Sequence, residues 1–138
     1  MSKQKAVIVD IDGTVATRTN RDPYDYSKVL YDAPKPEVIE VVASLWRSGH
    51  AIIFVSARDD SCYTDTFEWL RLHCPPFVKL HMRKTGDIRN DGVVKSEIYE
   101  ELIKPNWDVL CVLDDRQTVV DMWRSIGLTC LQVDYGDF

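Results

Sequence analysis

The sequence predicts an α/β domain, a doubly wound and mostly parallel sheet with helices on both faces. Three observations predict it. Short apolar, β-branched-rich runs recur at residues 6–9, 51–55, 109–113 and 130–133, as expected of strands covered on both sides. Segments with apolar residues at helical spacing alternate with them, which implies parallel strands joined by right-handed crossovers. The runs also end in acids, hydroxyls and arginines, and ligands bind at the carboxyl edge of open α/β sheets.

The first run, Ala6 to Val9, leads into Asp10-Ile11-Asp12-Gly13-Thr14. Gly13 permits a sharp turn and close backbone approach to a ligand. If strand geometry persists, Asp10 and Asp12 share one side of the strand end. Two crowded carboxylates repel unless a cation lies between them or one holds a proton. Residues 17–35 show no periodicity and contain Arg21 and Pro23-Tyr24-Asp25-Tyr26, which predicts a long ordered loop or small flap. A helix follows, with Val38, Val41, Val42, Leu45 and Trp46 at helical spacing and Gly49 as its stop. The second strand, residues 51–55, runs into Ser56-Ala57-Arg58. Residues 63–73 form a helix stopped by Pro75-Pro76, and residues 77–82 a third strand that delivers Arg83.

Residues 83–92 are polar and read as a loop. Residues 94–103 read as a helix with Lys95 at its start and Ile98, Tyr99 and Leu102 on one face. A turn at Asn106 leads to the fourth strand, residues 109–113, which ends in Asp114-Asp115. Trp107 receives no element. Residues 117–126 form a helix with Val119, Val120, Trp123 and Ile126 inward, and residues 130–133 the last strand. Trp46, Trp69 and Trp123 fall on helices and are expected in the core.

The 138 residues suit one domain, residues 1–138, and 45% apolar content supports a packed core. A net charge of −5 argues against a broad duplex-binding surface but not against a local basic pocket. Cys62, Cys74, Cys111 and Cys130 form no C-x-x-C pair and read as reduced thiols of a cytoplasmic protein. His50, His73 and His81 are scattered, which argues against a structural zinc site. The basic residues 1–5 precede an apolar run too short for a signal peptide or membrane span. There is no internal repeat.

Asp10, Asp12, Asp114 and Asp115 at one rim suit a hard divalent cation such as Mg²⁺. Arg58 and Arg83 at the same rim suit a phosphate. Carboxylates, magnesium and arginine are the parts of a phosphoryl-transfer site. One carboxylate can attack phosphorus, and a second can protonate the leaving oxygen and then deprotonate water. Ser56 can hydrogen-bond a phosphoryl oxygen, and Lys95 can neutralise charge between nucleophile and phosphate.

These motifs, in this order over the whole chain, resemble those of haloacid-dehalogenase-type phosphotransferases. The resemblance implies that Asp10 is the nucleophile and Asp12 the acid/base. It also implies a backbone carbonyl of Asp12 on Mg²⁺, with Asp114 and Asp115 as the metal-supporting acids and Thr14 in a supporting role. Three further stretches are more specific: Arg21 with Pro23-Tyr24-Asp25, Ser56-Ala57-Arg58, and Arg83 with Gly86 to Lys95. Asp114 to Arg124 and the ending Gly136-Asp137-Phe138 complete a likeness to the 3′-phosphatase domain of phage-type polynucleotide kinase-phosphatases. That likeness implies phosphate contacts from Arg21, Arg58 and Arg83, and support of Lys95 by Asp91. It implies 3′-phosphate ends of DNA or RNA as substrate, in a bacterial or phage-infected cytoplasm, beside a separate or fused polynucleotide kinase or ligase. No G-x-x-x-x-G-K-[ST] occurs, so the expectation is a phosphatase without its kinase half, either a stand-alone protein or an excised domain.

Two-component receiver domains also pair acids, a hydroxyl and a lysine, but with the paired acids early and the lysine late. Here Asp114-Asp115 come late and Lys95 precedes them. A metal-binding module without catalysis would not need both Asp10 and Asp12. A phosphatase of free nucleotides or another small phosphomonoester remains the open alternative. No large cap fits between the motifs, and an open site admits a polymer end and a small ester alike.

Overall fold

The computed structural model describes residues 2–136. Met1, Asp137 and Phe138 lie outside the described residues, so the last two positions of the Gly136-Asp137-Phe138 resemblance do too. The chain opens with β1 (Gln4–Val9), a short strand β2 (Ala16–Thr17), a 3-10 segment Tyr26–Tyr31 and β3 (Ala33–Pro34). Then come α1 (Pro36–Arg47), β4 (Ala51–Asp59), a 3-10 turn Asp60–Cys62, α2 (Tyr63–His73) and β5 (Lys79–Arg83). The remainder is α3 (Asp91–Ile98), a π-helical turn Tyr99–Ile103, β6 (Trp107–Arg116), α4 (Gln117–Ser125) and β7 (Cys130–Gly136).

The main sheet has five strands in the order β5-β4-β1-β6-β7, and every pairing in it is parallel. From β1 the chain steps outward to β4 and β5, then returns across to β6 and β7. The direction reverses beside β1, so the crevice between the ends of β1 and β6 is the switch point where such sheets bind ligands. Alternation along β1 divides the core. Ala6 and Ile8 pack with Val94, Ile98, Val120 and Trp123 of α3 and α4. Val7 and Val9 pack with Val42, Trp69 and Leu70 of α1 and α2. This is the two-residue period of a strand buried on both faces.

Residues 17–35 form a small flap. Its ends are tied by the antiparallel pair β2/β3, with Ala16 opposite Pro34 and Thr17 opposite Ala33. Among the described residues there is no larger insertion that could act as a cap.

Five details depart from the sequence reading. β4 and β6 run on through Ser56-Ala57-Arg58 and Asp114-Asp115, and the last also takes in Trp107. Both strands shift register there, between Ser56 and Asp59 and between Asp114 and Arg116, as bulges beside active sites do. α3 begins at Asp91, because the Asn90 carboxamide oxygen caps the Val93 N–H at 3.0 Å. The helix then widens, with the Lys104 N–H donating to the Tyr99 carbonyl at 2.8 Å. That wider turn advances the inward face, so Ile103 is buried where Leu102 was expected, and Leu102 is 49% exposed. Trp46 is 43% exposed on α1 while Trp69 and Trp123 are fully buried. Phe77 precedes β5 instead of joining it, and packs edge-on against Phe54 with ring centroids 5.3 Å apart.

Candidate active site

The β1 strand ends at Val9, and the Asp10 N–H continues its ladder onto the Leu113 carbonyl at 2.9 Å. The chain then turns tightly, with the N–H groups of Thr14, Val15 and Ala16 all donating to the Ile11 carbonyl. Gly13 has φ +80°, and a Cβ there would lie 2.1 Å from Asp115 Oδ2. Backbone conformation and space therefore both require glycine. The turn sends the two carboxylates of the motif to different partners, so they do not form the shared pair that strand geometry alone predicts.

Asp10 enters a buried cluster with Asp114 and Asp115. One carboxylate oxygen from each lies within 4.8 Å of the others. Lys95 Nζ, delivered by α3, donates to Asp10 Oδ1 at 2.8 Å and to Asp114 Oδ2 at 2.9 Å. The Thr14 hydroxyl donates to Asp10 Oδ2 at 2.9 Å. Asp114 is saturated by the protein. Its Oδ2 also accepts from Trp123 Nε1 at 3.2 Å, and its Oδ1 from the N–H groups of Asp115 and Arg116. Burial, then the charge of Asp114, raises the Asp10 carboxyl well above its usual range, and Lys95 offsets only part of this. Burial likewise raises Asp115. On Lys95 burial acts downward, but the charges of Asp10 and Asp114 prevail and hold its ammonium protonated. One ammonium facing three buried carboxylates leaves negative charge uncompensated, which fits a hard divalent cation with oxygen ligands.

Asp12 enters a second cluster. Arg58 grips it bidentately, Nε to Oδ2 at 2.9 Å and Nη2 to Oδ1 at 2.8 Å, and Arg21 Nη2 reaches Oδ1 at 3.2 Å. Burial pushes the Asp12 carboxyl up, but these contacts outweigh it and hold it below its usual value. Its side chain is therefore not among the clustered acids, although sequence reading grouped all four aspartates on the metal. Asp32, which the sequence did not single out, lies beneath. It accepts from Arg21 Nε at 2.8 Å, Arg21 Nη2 at 2.9 Å and Arg58 Nη2 at 2.9 Å, and its side chain is fully buried.

An open cavity of about 1090 Å³ joins the two clusters. Asp10, Asp12, Ser56, Arg58, Lys95 and Asp115 lie in its wall, with Asp114, Asp91 and Arg83. Ser56 is buried, and its oxygen accepts the Arg58 N–H at 3.1 Å, so its own proton is available to a ligand. Arg21 departs from expectation. Its side chain is fully buried and bound to Asp12, Asp32 and the carbonyls of Asp22, Pro23 and Asp25, so it braces the flap from within. Asp91 also departs. It accepts from Arg83 Nη2 at 2.6 Å and from Arg116 Nη1, while Lys95 is bound to Asp10 and Asp114. Two cations the sequence reading did not place in the site, exposed Arg18 and half-buried Arg116, line the cavity as well. Arg116 directly follows the paired acids, which was a signal. Asp32 gave none, because it stands alone in an aperiodic stretch.

The family model for the phosphatase domain of polynucleotide kinase PNKP matches residues 4–138. The chain belongs to this family. As a PNKP-type phosphatase domain it is an α/β phosphatase of the haloacid-dehalogenase class. It is 36% identical over 127 residues to a putative bifunctional polynucleotide kinase/RNA ligase of Autographa californica nuclear polyhedrosis virus, covering 90% of this chain and 18% of that protein. A chain of the Pnkp1/Rnl/Hen1 RNA repair complex superposes with a TM-score of 0.94 at 38% identity, over 99% of this chain and 44% of that one. A second Pnkp1/Rnl/Hen1 structure gives 0.95 at 38% identity, over 99% and 48%. The PNKP-type domain thus spans under half the length of these relatives. A class C acid phosphatase from Bacillus anthracis, solved with tungstate, shares the fold at a TM-score of 0.71 and 16% identity, over 99% of this chain and 68% of that one.

Proposed function

We propose that this domain removes the terminal phosphate from 3′ ends of DNA or RNA strands. The observation that carries the reading is one open cavity holding both parts of the chemistry. A buried aspartate faces a lysine and two further acids, and a second aspartate is held by arginine beside it. Family membership and the kinase, ligase and repair-complex relatives support a polynucleotide end as substrate. They also support a role beside a fused or separate kinase and ligase in end healing.

In this reading Asp10 attacks phosphorus, the bond to the 3′ oxygen breaks, and an aspartyl phosphate forms. Asp12 protonates the departing 3′ oxygen, then takes a proton from the water that attacks the aspartyl phosphate and releases inorganic phosphate. Asp12 is held ionised by Arg58, so the acid step needs the arriving phosphate dianion to draw the guanidinium toward itself. Ser56 donates to a phosphoryl oxygen. Thr14 and Lys95 fix the two oxygens of Asp10; Lys95 offsets part of the upward shift on its carboxyl, and a cation bound beside it would favour the ionised form that attacks. Asp10 and Asp115, with the Asp12 carbonyl, are the groups suited to hold Mg²⁺, and Asp114 positions Lys95. Mg²⁺ bound there supplies charge neutralisation at the phosphoryl group. Arg83 holds the loop beside the cavity and lies in the cavity wall.

An oligonucleotide with a 3′ phosphate, assayed beside 3′- and 5′-mononucleotides, tests the reading. Higher kcat/KM on the oligonucleotide is expected. Equal or better turnover of the mononucleotides would favour a small-ester phosphatase instead.

A further inference from the structure

The cavity wall is charged, but two large apolar side chains stand out at it. Ile88 is 96% exposed and Tyr24 is 82% exposed, the two most exposed large hydrophobics among the described residues. Single exposed apolar residues are ordinary. Here both extremes line one polar cavity, and each comes from a different segment, the flap and the loop between β5 and α3.

Both tips are held by design of the backbone. Arg21 Nη1 donates to the carbonyls of Pro23 and Asp25, on either side of Tyr24, at 3.2 and 3.4 Å. The Tyr24 N–H donates to Asp22 Oδ1 at 2.9 Å. Arg83 Nη1 donates to the carbonyls of Asp87 and Arg89, on either side of Ile88, at 3.0 and 2.5 Å. The other ends of these two guanidiniums reach the site itself, Arg21 to Asp12 and Arg83 to Asp91. An arginine anchored in the site thus fixes the backbone beneath each apolar tip. Fixing an exposed hydrophobic contributes nothing to folding, but it presets a surface for something flat and apolar.

We infer that Tyr24 and Ile88 form a platform on which the terminal nucleobase of a 3′-phosphorylated single strand stacks while its phosphate enters the cavity. The inference rests on the 3′-phosphatase reading and adds the base to what is recognised. A phosphate group with an apolar, flat neighbour is what a nucleotide end presents, and stacking on an aromatic face tolerates every base. A platform of this kind selects ends without selecting sequence.

The test compares two oligonucleotides in Mg²⁺ buffer, one with a 3′ phosphate on an ordinary terminal nucleotide and one with that nucleotide abasic. Wild-type protein should favour the base-bearing end by roughly tenfold in kcat/KM, mostly through KM. Tyr24→Ala should bring that preference close to one, Ile88→Ala should reduce it, and Tyr24→Phe should keep it. A wild-type protein that turns over both strands without preference overturns the platform alone. So does a Tyr24→Ala variant that loses equally on both strands, since that loss would be structural. A wild-type protein that releases phosphate from neither strand overturns the 3′-phosphatase reading as well.

Discussion

Removing the carboxylate of Asp32 leaves the guanidiniums of Arg21 and Arg58 facing each other in a buried site, since both donate to it. Breaking a buried pair by deleting one partner costs about 3–5 kcal/mol. Asp32→Ala should therefore lower the urea midpoint sharply, and phosphatase activity with it, because Asp12 loses its positioning. A midpoint within error of wild type would show that the buried network is not coupled to stability. Asp10 and Asp12 were legible in the sequence as site residues because they sit at a strand end and two apart. Asp32 was not, since only the fold brings the flap beneath β4. Arg21 was legible as a site residue but not as a brace, because a buried guanidinium and a phosphate-binding one look alike in a sequence. Arg58 grips Asp12 with two donors in one plane, a geometry an ammonium cannot copy. Arg58→Ala should cut 3′-phosphate release by orders of magnitude and Arg58→Lys should recover little of it. Arg71→Ala, on the exposed face of α2 and paired with Glu68, should be nearly silent. Equal rates in the Arg58 and Arg71 variants would remove Arg58 from the site.

The element that governs the site is the turn after β1, because it places Asp10 and Asp12 and leaves room for Asp115. Gly13→Ala would bring a methyl group onto the Asp115 carboxylate at a positive φ. It should abolish most activity and weaken Mg²⁺ binding, read by calorimetry, with a stability cost of about 1–2 kcal/mol from the backbone and a further cost from displacing Asp115. Unchanged affinity for Mg²⁺ would show that Asp115 is not held by this turn. The strands were readable because buried parallel strands are continuous apolar runs. The start of α3 was missed because Asn90-Asp91-Gly92 has loop composition, although Asn90 is a good cap residue. The π turn after it was not readable, since its periodicity changes in mid-helix without a glycine or proline to mark the place.

At the scale of the molecule, one sheet edge gathers residues from β1, β4, β5, β6 and the flap into a single cavity, which is why motifs far apart in sequence act together. The same packing shelters the thiols. Burial pushes Cys74 and Cys130 up to about 12, and it raises Cys62 and Cys111 as well. Thiolate is the reactive form, so at pH 8 the raised values leave almost none, and the folded protein should react slowly with a thiol reagent. All four cysteines should react on unfolding; rapid native labelling of all four would contradict the packing. The central claim is a phosphatase specific for the 3′ end that works through Asp10. It is tested most directly with one oligonucleotide carrying a phosphate at each end, incubated with Mg²⁺ and either wild-type protein or Asp10→Asn. The uncatalysed reaction is too slow to register. The account predicts loss of the 3′ phosphate alone with wild type and no loss with Asp10→Asn. Release of the 5′ phosphate at a comparable rate, or continued 3′ release by Asp10→Asn, would contradict it.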